Sequence, residues 1–224
     1  MTDRLPARDL VDVRLAAAIG VGGCALCEVR SRGEIGTLDA IIAERVLDLG
    51  FRGGLERDHG FCRRHARGLL EADRRSSGIL GSSILFGAMI QRRTDALRQA
   101  MAVSGRRRRG RLASVRTRPP CLACGQGSQA VDTAASRLVE RCADPAWAAV
   151  IGDLPFCLDD LTLLLAVAGD EPGMAAVAER QLARLDGIQA RLEGFIDHSA
   201  QDRRHLLTDD ERGAADEAAR LFGG

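Results

Sequence analysis

Apolar side chains recur along most of this chain at three- and four-residue steps, the spacing that lines one face of a helix. Ile35, Leu38, Ile41, Ile42, Val46 and Leu49 follow it, and so do Met174, Val177, Leu185, Ile188, Leu192 and Phe195 in a later, longer stretch. Near the start, Leu10, Val11, Val13 and Leu15 supply the apolar side of a first amphipathic helix that runs into a glycine-rich turn. Strict alternation of β-branched residues is missing, so no strand is expected and the class is all-α. Gly68, Gly78, Gly81 and Gly87 mark a break near residues 76–78 or close helix packing. From Glu193 onward the chain carries eight acids and reads as a polar helix–loop–helix tail. The longest apolar runs, residues 78–90 and 161–169, fall far short of the ~20 residues a membrane span needs.

A repeat overlies this helical pattern. Two cysteine pairs have Cys-x-x-Cys spacing, Cys24/Cys27 and Cys121/Cys124, and each is followed by a Phe-Cys, at Cys62 after 34 residues and at Cys157 after 32. The first continues to His65 and the second to Asp160. Between them, residues 43–48 (AERVLD) align with residues 139–144 (VERCAD) at an offset of 96. So many features at one offset imply internal duplication. The alignment sets Cys142 opposite Val46, an apolar helix position, and marks it as a small core residue. The chain accordingly divides into a first helical repeat at 1–104, an arginine- and proline-rich linker at 105–120, a second repeat at 121–198 and a polar helical tail at 199–224.

The six remaining cysteines carry the chemistry. Structural zinc takes four thiolate or imidazole ligands in a tetrahedron, and a three-residue step lets two of them reach one ion from a tight turn or helix start. Cys24, Cys27, Cys62 and His65 form a complete Cys3His set within the first repeat. Gly60-Phe61 supplies a tight turn and an apolar anchor before its second half. Cys121, Cys124, Cys157 and Asp160 form the corresponding Cys3Asp set in the second repeat, and carboxylate is an accepted zinc ligand. Asp159 is the neighbouring alternative, but helical spacing favours Asp160. His59 is a candidate alternative or supporting ligand for the first site. His198 and His205 lie in the polar tail and read as solvated. An iron–sulfur cluster is a further occupant that a Cys3His set admits.

The doubled pattern of Cys-x-x-Cys, a long helix holding Glu44-Arg45-x-x-Asp48, then Gly60-Phe61-Cys62-x-x-His65 resembles an uncharacterised bacterial family of unknown function. In that family the first pair usually includes proline and the second knuckle usually ends in histidine. Here Ala25 and Leu122 stand where the proline would, and Asp160 where the second histidine would. The resemblance covers nearly the whole chain, through Phe195-Ile196-Asp197-His198, and implies a mostly helical zinc-type protein with no assigned activity.

Composition narrows the function classes. The 224 residues hold 32 basic and 31 acidic side chains, all the cations being arginine, for a net charge of +1. That balance exerts no overall pull toward nucleic acid or anionic lipid, and 3% aromatic content argues against stacking platforms. Seven cysteines without an export signal point to metal or redox chemistry in the cytoplasm rather than a disulfide framework. Seven arginines and no acid fall between residues 105 and 118. Glycine and Pro119-Pro120 punctuation favours a flexible solvated linker there over a phosphate-binding surface. No hydrolase, phosphate-loop or dinucleotide motif occurs. The expected role is a non-enzymatic module presenting a surface to a protein partner, with a thiol–zinc redox switch as the alternative.

Overall fold

In a computed structural model of the chain, the structure describes residues 5–57, 60–76, 78–116, 121–200 and 202–222. Helix accounts for 82% of the described residues, and no strand occurs among them. The α-helices are α1 (Leu10–Ile19), α2 (Ala25–Ala40), α3 (Leu49–Arg57), α4 (Arg63–Ser76), α5 (Leu80–Met101), α6 (Gly105–Arg116), α7 (Leu122–Arg141), α8 (Pro145–Asp153), α9 (Leu158–Ala168), α10 (Pro172–His198) and α11 (Asp209–Ala219). A π-helical turn, Ile41–Arg45, extends α2.

The duplication is visible as repeated local structure. Asp48 and Asp144, matched in the alignment, both cap short helices: Asp48 Oδ1 accepts from Phe51 N at 3.0 Å before α3, and Asp144 Oδ1 accepts from Ala146 N at 3.0 Å before α8. Arg45 and Arg141 are likewise matched, and each guanidinium lies over the aromatic ring six residues later. The distances are 5.5 Å to Phe51 and 5.7 Å to Trp147. Each copy therefore runs from a Cys-x-x-Cys helix through an aspartate-capped short helix to a Phe-Cys knuckle, a further helix and a long helix.

The compact units do not follow the repeats. One comprises Met1–Arg30 with Ala130–Gly224, the other Ser31–Gln129, so the boundaries fall inside α2 and α7. The sequence division at 104 and 121 marks the copies, whereas each unit is assembled from parts of both.

The first unit is built on Leu15, Leu26, Leu138, Trp147, Ile151, Phe156, Leu164 and Val177, all buried. Leu10 and Val13, expected on the inner side of α1, are exposed. Its inner face is Asp12, Leu15, Ala18 and Ile19. Asp9 starts this helix by accepting from Val11 N at 2.9 Å and Asp12 N at 3.1 Å, a helix N-cap. Asp12 is fully buried and binds Arg141 through two contacts, with Arg8 N at 2.7 Å and Arg137 Nη1 at 3.4 Å as further donors. Along α10, Met174, Val177 and Ile188 are buried as their spacing predicts, while Phe195 is 37% exposed. The tail does form a helix, α11, closed by a Thr208/Glu211 capping box. Glu217 ties it to α10 through Arg184 at 3.0 Å and Arg191 at 2.5 Å. His198, expected to be solvated, is half-buried and pairs with Glu211 at 3.1 Å, whereas His205 is exposed.

The second unit packs Leu38, Ile41, Leu55, Phe61, Leu69, Ala72 and Leu85. Ile35 and Leu49 share the predicted stripe yet are exposed; for Leu49 this follows because the helix ends at Arg45 and the stripe does not continue through the Asp48 turn. Gly60 has φ of +76°, a left-handed backbone favouring glycine, and aims Phe61 into this core. Residues 105–116, expected to be a flexible linker, are the helix α6. Pro119 and Pro120 lie outside the described residues, as does His59.

Candidate metal centres

All eight residues singled out by spacing occupy one kind of position. Cys24, Cys62, Cys121 and Cys157 are the residues preceding the first helical positions of α2, α4, α7 and α9. Their carbonyls accept from the amides four residues on, at 3.1, 2.8, 3.0 and 2.8 Å. Cys27, His65, Cys124 and Asp160 are the third helical residues of the same four helices. N-cap and third-position side chains meet over a helix start, as they do in a capping box. Here both side chains of each pair turn outward together, beside the partial positive charge of the helix N-terminus, which favours thiolate and carboxylate. Asp159, one position earlier, is exposed and takes no part.

The pairing departs from the expected one. Cys62 and His65 meet Cys121 and Cys124, and Cys24 and Cys27 meet Cys157 and Asp160. Within each group the ligand atoms lie within 4.8 Å of one another. Each repeat thus contributes half of each cluster, and the two Cys-x-x-Cys pairs are exchanged between copies. α2 alone runs about 24 Å from its start, and its π turn carries the chain on to about 30 Å before residues 46–61 lead to Cys62. The start and the end of α2 belong to different compact units, and so do the start and the end of α7.

In the histidine cluster, His65 Nδ1 lies 3.4 Å from Cys62 Sγ, 3.1 Å from Cys121 Sγ and 3.3 Å from Cys124 Sγ. Cys124 Sγ is 3.2 Å from Cys121 Sγ and 3.9 Å from Cys62 Sγ. The other ring nitrogen, Nε2, lies 3.2 Å from Glu34 Oε2, and its angle falls outside that of a hydrogen bond. Arg64 holds the second Glu34 oxygen at 2.6 Å. A carboxylate at the outer nitrogen of a ligating imidazole fixes the ring's orientation once it accepts that N–H, and a small shift of Glu34 would bring it into line. Burial works against ionising Cys121, but backbone amides of Cys62 and Cys124 and the Cys124 and His65 side chains donate to its sulfur and lower its pKa to about 6. Burial pushes Cys124 up to about 12.

In the aspartate cluster, Asp160 Oδ2 accepts from Cys27 Sγ at 3.1 Å and Cys24 Sγ at 3.3 Å, and Cys27 Sγ lies 3.6 Å from Cys157 Sγ. The other carboxylate oxygen, Oδ1, takes a 2.8 Å ion pair from Arg30, one turn along α2 from Cys27. Burial raises both Cys27 and Cys157, the latter to about 11. It also opposes the Asp160 charge, yet hydrogen bonds from the three thiols and the Arg30 charge hold that carboxyl below its usual range. Each cluster therefore contains a stabilised anion beside raised thiols, and a cation entering it displaces thiol protons.

Arg30 has a charge role that its sequence position does not signal. Three thiolates and a carboxylate around a divalent ion leave two negative charges, one of which Arg30 offsets. The histidine set leaves one negative charge, and the Glu34–Arg64 pair adds none. Both clusters reach the same residual charge by different means. Arg30→Gln is expected to weaken metal retention at the aspartate cluster by roughly 10–100-fold while sparing the other, as read by competition with a chromogenic chelator.

Each cluster also borders open space. Cys24 stands in the wall of a cavity of about 660 Å³, and His65 borders a groove of about 710 Å³ between α2 and α4. Cys142 joins neither cluster. It is buried, its Sγ lies 3.2 Å from Met174 Sδ, and burial raises its pKa, in keeping with a core residue.

No described helix is long and apolar enough to cross a membrane. No protein-family model, curated protein or solved structure matches this chain, so its chemistry is read from the two clusters themselves.

Proposed function

We propose that this chain is a zinc-binding helical module of non-enzymatic role, carrying one ion at Cys62, His65, Cys121 and Cys124 and a second at Cys24, Cys27, Cys157 and Asp160. The observation that carries the reading is the spacing of ligand atoms. With bonds of about 2.3 Å to sulfur and about 2.0–2.2 Å to nitrogen or oxygen, a tetrahedral site has edges of about 3.8 Å between sulfurs and about 3.6 Å from sulfur to the lighter atom. Three sulfur–sulfur distances of 3.2, 3.6 and 3.9 Å and five sulfur–nitrogen or –oxygen distances of 3.1–3.4 Å sit around and just inside those edges, and all ligand atoms of each cluster lie within 4.8 Å of one another. A small outward movement accommodates the ion.

Thiolate-rich sets select zinc over magnesium, calcium or manganese. Four protein ligands leave no open position for a reactive water, which supports a structural ion over a hydrolytic one. Each ion would join two helix starts far apart in sequence, so its binding energy becomes folding energy. The role then belongs to the helical surfaces that the ions hold in place, consistent with the uncharacterised zinc-type family that the motifs resemble.

Elemental analysis of the untagged protein tests this directly. The expected result is two zinc ions per chain in a colourless preparation. A brown preparation containing iron and acid-labile sulfide overturns the zinc assignment, and a metal-free folded protein overturns the reading as a whole.

A further inference from the structure

The net charge of +1 conceals a strong separation. The unit Ser31–Gln129 contains 19 arginines and 9 acids, a net of +10, while Met1–Arg30 with Ala130–Gly224 contains 13 arginines and 22 acids, a net of −9. Near-neutrality of the whole chain therefore gives no reason to dismiss a polyanion, and asymmetry of this kind is a recognised mark of nucleic-acid contact.

Within the basic unit the charge is concentrated on α6. No acid occurs from residue 96 to residue 131, and α6 alone carries six arginines. Two of them close the preceding helix. Arg111 Nη1 donates to Gln99 O at 2.8 Å and Arg108 Nη2 to Met101 O at 3.4 Å, meeting the carbonyl end of α5, and Arg108 Nε donates to Val103 O at 2.8 Å in the turn beyond it. Arg108, Leu112 and Val115 are the half-buried residues of α6 and share one side of it.

The opposite side is different. At 100° per residue, Arg106, Arg107, Arg109 and Arg116 fall within one 180° arc of the helix. All four are exposed, and none of their guanidinium groups makes a hydrogen bond or ion pair with a described residue. The other residues of that arc are Gly110, Ala113 and Ser114, small enough for a flat or ridged surface to approach the backbone. Arg106 to Arg116 spans about 15 Å, a length along which duplex DNA presents about nine phosphate charges.

We propose that α6 is a binding surface for duplex nucleic acid, with Arg106, Arg107, Arg109 and Arg116 contacting the phosphate backbone without reading sequence. An anionic membrane suits it less well. A helix lying in a membrane surface needs an apolar face turned to the lipid, and the large apolar residues of α6 are on the side away from these arginines. The proposal extends the module reading above and does not depend on which metal the clusters hold.

The test uses the full chain as isolated with its metal, a labelled 30-base-pair DNA duplex of arbitrary sequence, and fluorescence anisotropy between 50 and 200 mM salt. Four phosphate contacts give a slope of log affinity against log salt of about −3.6. The variant with all four arginines changed to glutamine should lose that slope and bind at least about tenfold more weakly at 50 mM salt. Duplexes of unrelated sequence should compete equally. Should the fourfold variant misfold, Arg106→Gln and Arg109→Gln singly should each reduce the slope by about 0.9. Absence of binding at 50 mM salt, or equal binding by wild type and variants, overturns the proposal. So does a preference for phosphatidylglycerol vesicles over DNA, or salt-sensitive self-association through the same arginines without DNA, which would assign α6 to a membrane or to a second copy.

Discussion

Changing Cys24 and Cys157 together to serine is expected to remove one metal ion and leave the second, whereas changing Cys24 and Cys62 together removes both. The exchanged pairing requires this outcome, because Cys24 and Cys157 belong to one cluster while Cys24 and Cys62 belong to two. Pairing within each repeat requires the reverse. The measurement is metal content per chain after gel filtration, with Cys142→Ala as a control that leaves both ions in place. The effect on stability is large: apparent binding free energies of structural zinc are about 10–16 kcal/mol, comparable to or greater than the stability of a typical domain. Loss of the histidine-cluster ion should therefore unfold at least the region around α4 and the start of α7. Loss of both ions should abolish cooperative unfolding.

Asp12→Ala carries the second large expectation, a loss of about 3–5 kcal/mol measured as a fall in the urea midpoint. Asp12 is 0% exposed and Arg141 is 2% exposed, so removing the carboxylate strands a guanidinium in the core. Arg141 Nη1 is already buried without a hydrogen-bond partner, so the guanidinium would keep its contact over the Trp147 ring but lose its carboxylate. The double change Asp12→Leu with Arg141→Met should recover much of the loss, since a buried pair exchanged for apolar residues is often neutral or better. Asp9→Ala, which removes the cap of α1 and a partly exposed ion pair with Arg137 at 2.9 Å, should cost about 1 kcal/mol. A loss from Asp12→Ala no larger than that from Asp9→Ala would show that the buried network contributes little.

Asp12 also shows what periodicity leaves hidden. Residues 10–15 read as an apolar stripe, yet α1 turns its aspartate inward and leaves Leu10 and Val13 in solvent. The reversal depends on Arg141, 129 residues away, and no local pattern records such a partner. The arginine run illustrates a second limit. Flanking glycine and proline suggested a linker, but arginine is a good helix former. Packing of Leu112 and Val115, with carbonyl contacts from Arg108 and Arg111, accompanies the helix that forms. Arg30 was unmarked because its role exists only once Asp160 is beside it.

The primary structure alone was enough to establish the helical class, the duplication and the eight candidate ligands. All of these are local matters: a 3.6-residue period, a three-residue step from helix cap to first turn, and an offset between copies. Which knuckle meets which was left to the tertiary structure, along with the segregation of charge into one basic and one acidic unit. The contacts that decide it join residues 56 to 136 positions apart, such as His65 with Cys121 and Cys24 with Asp160. Two copies of one motif present chemically equivalent halves, so side-chain chemistry cannot choose between the pairings. The choice falls to the packing of the two units, since α2 and α7 each begin in one unit and end in the other, which puts each Cys-x-x-Cys pair in the unit that holds the knuckle of the other copy.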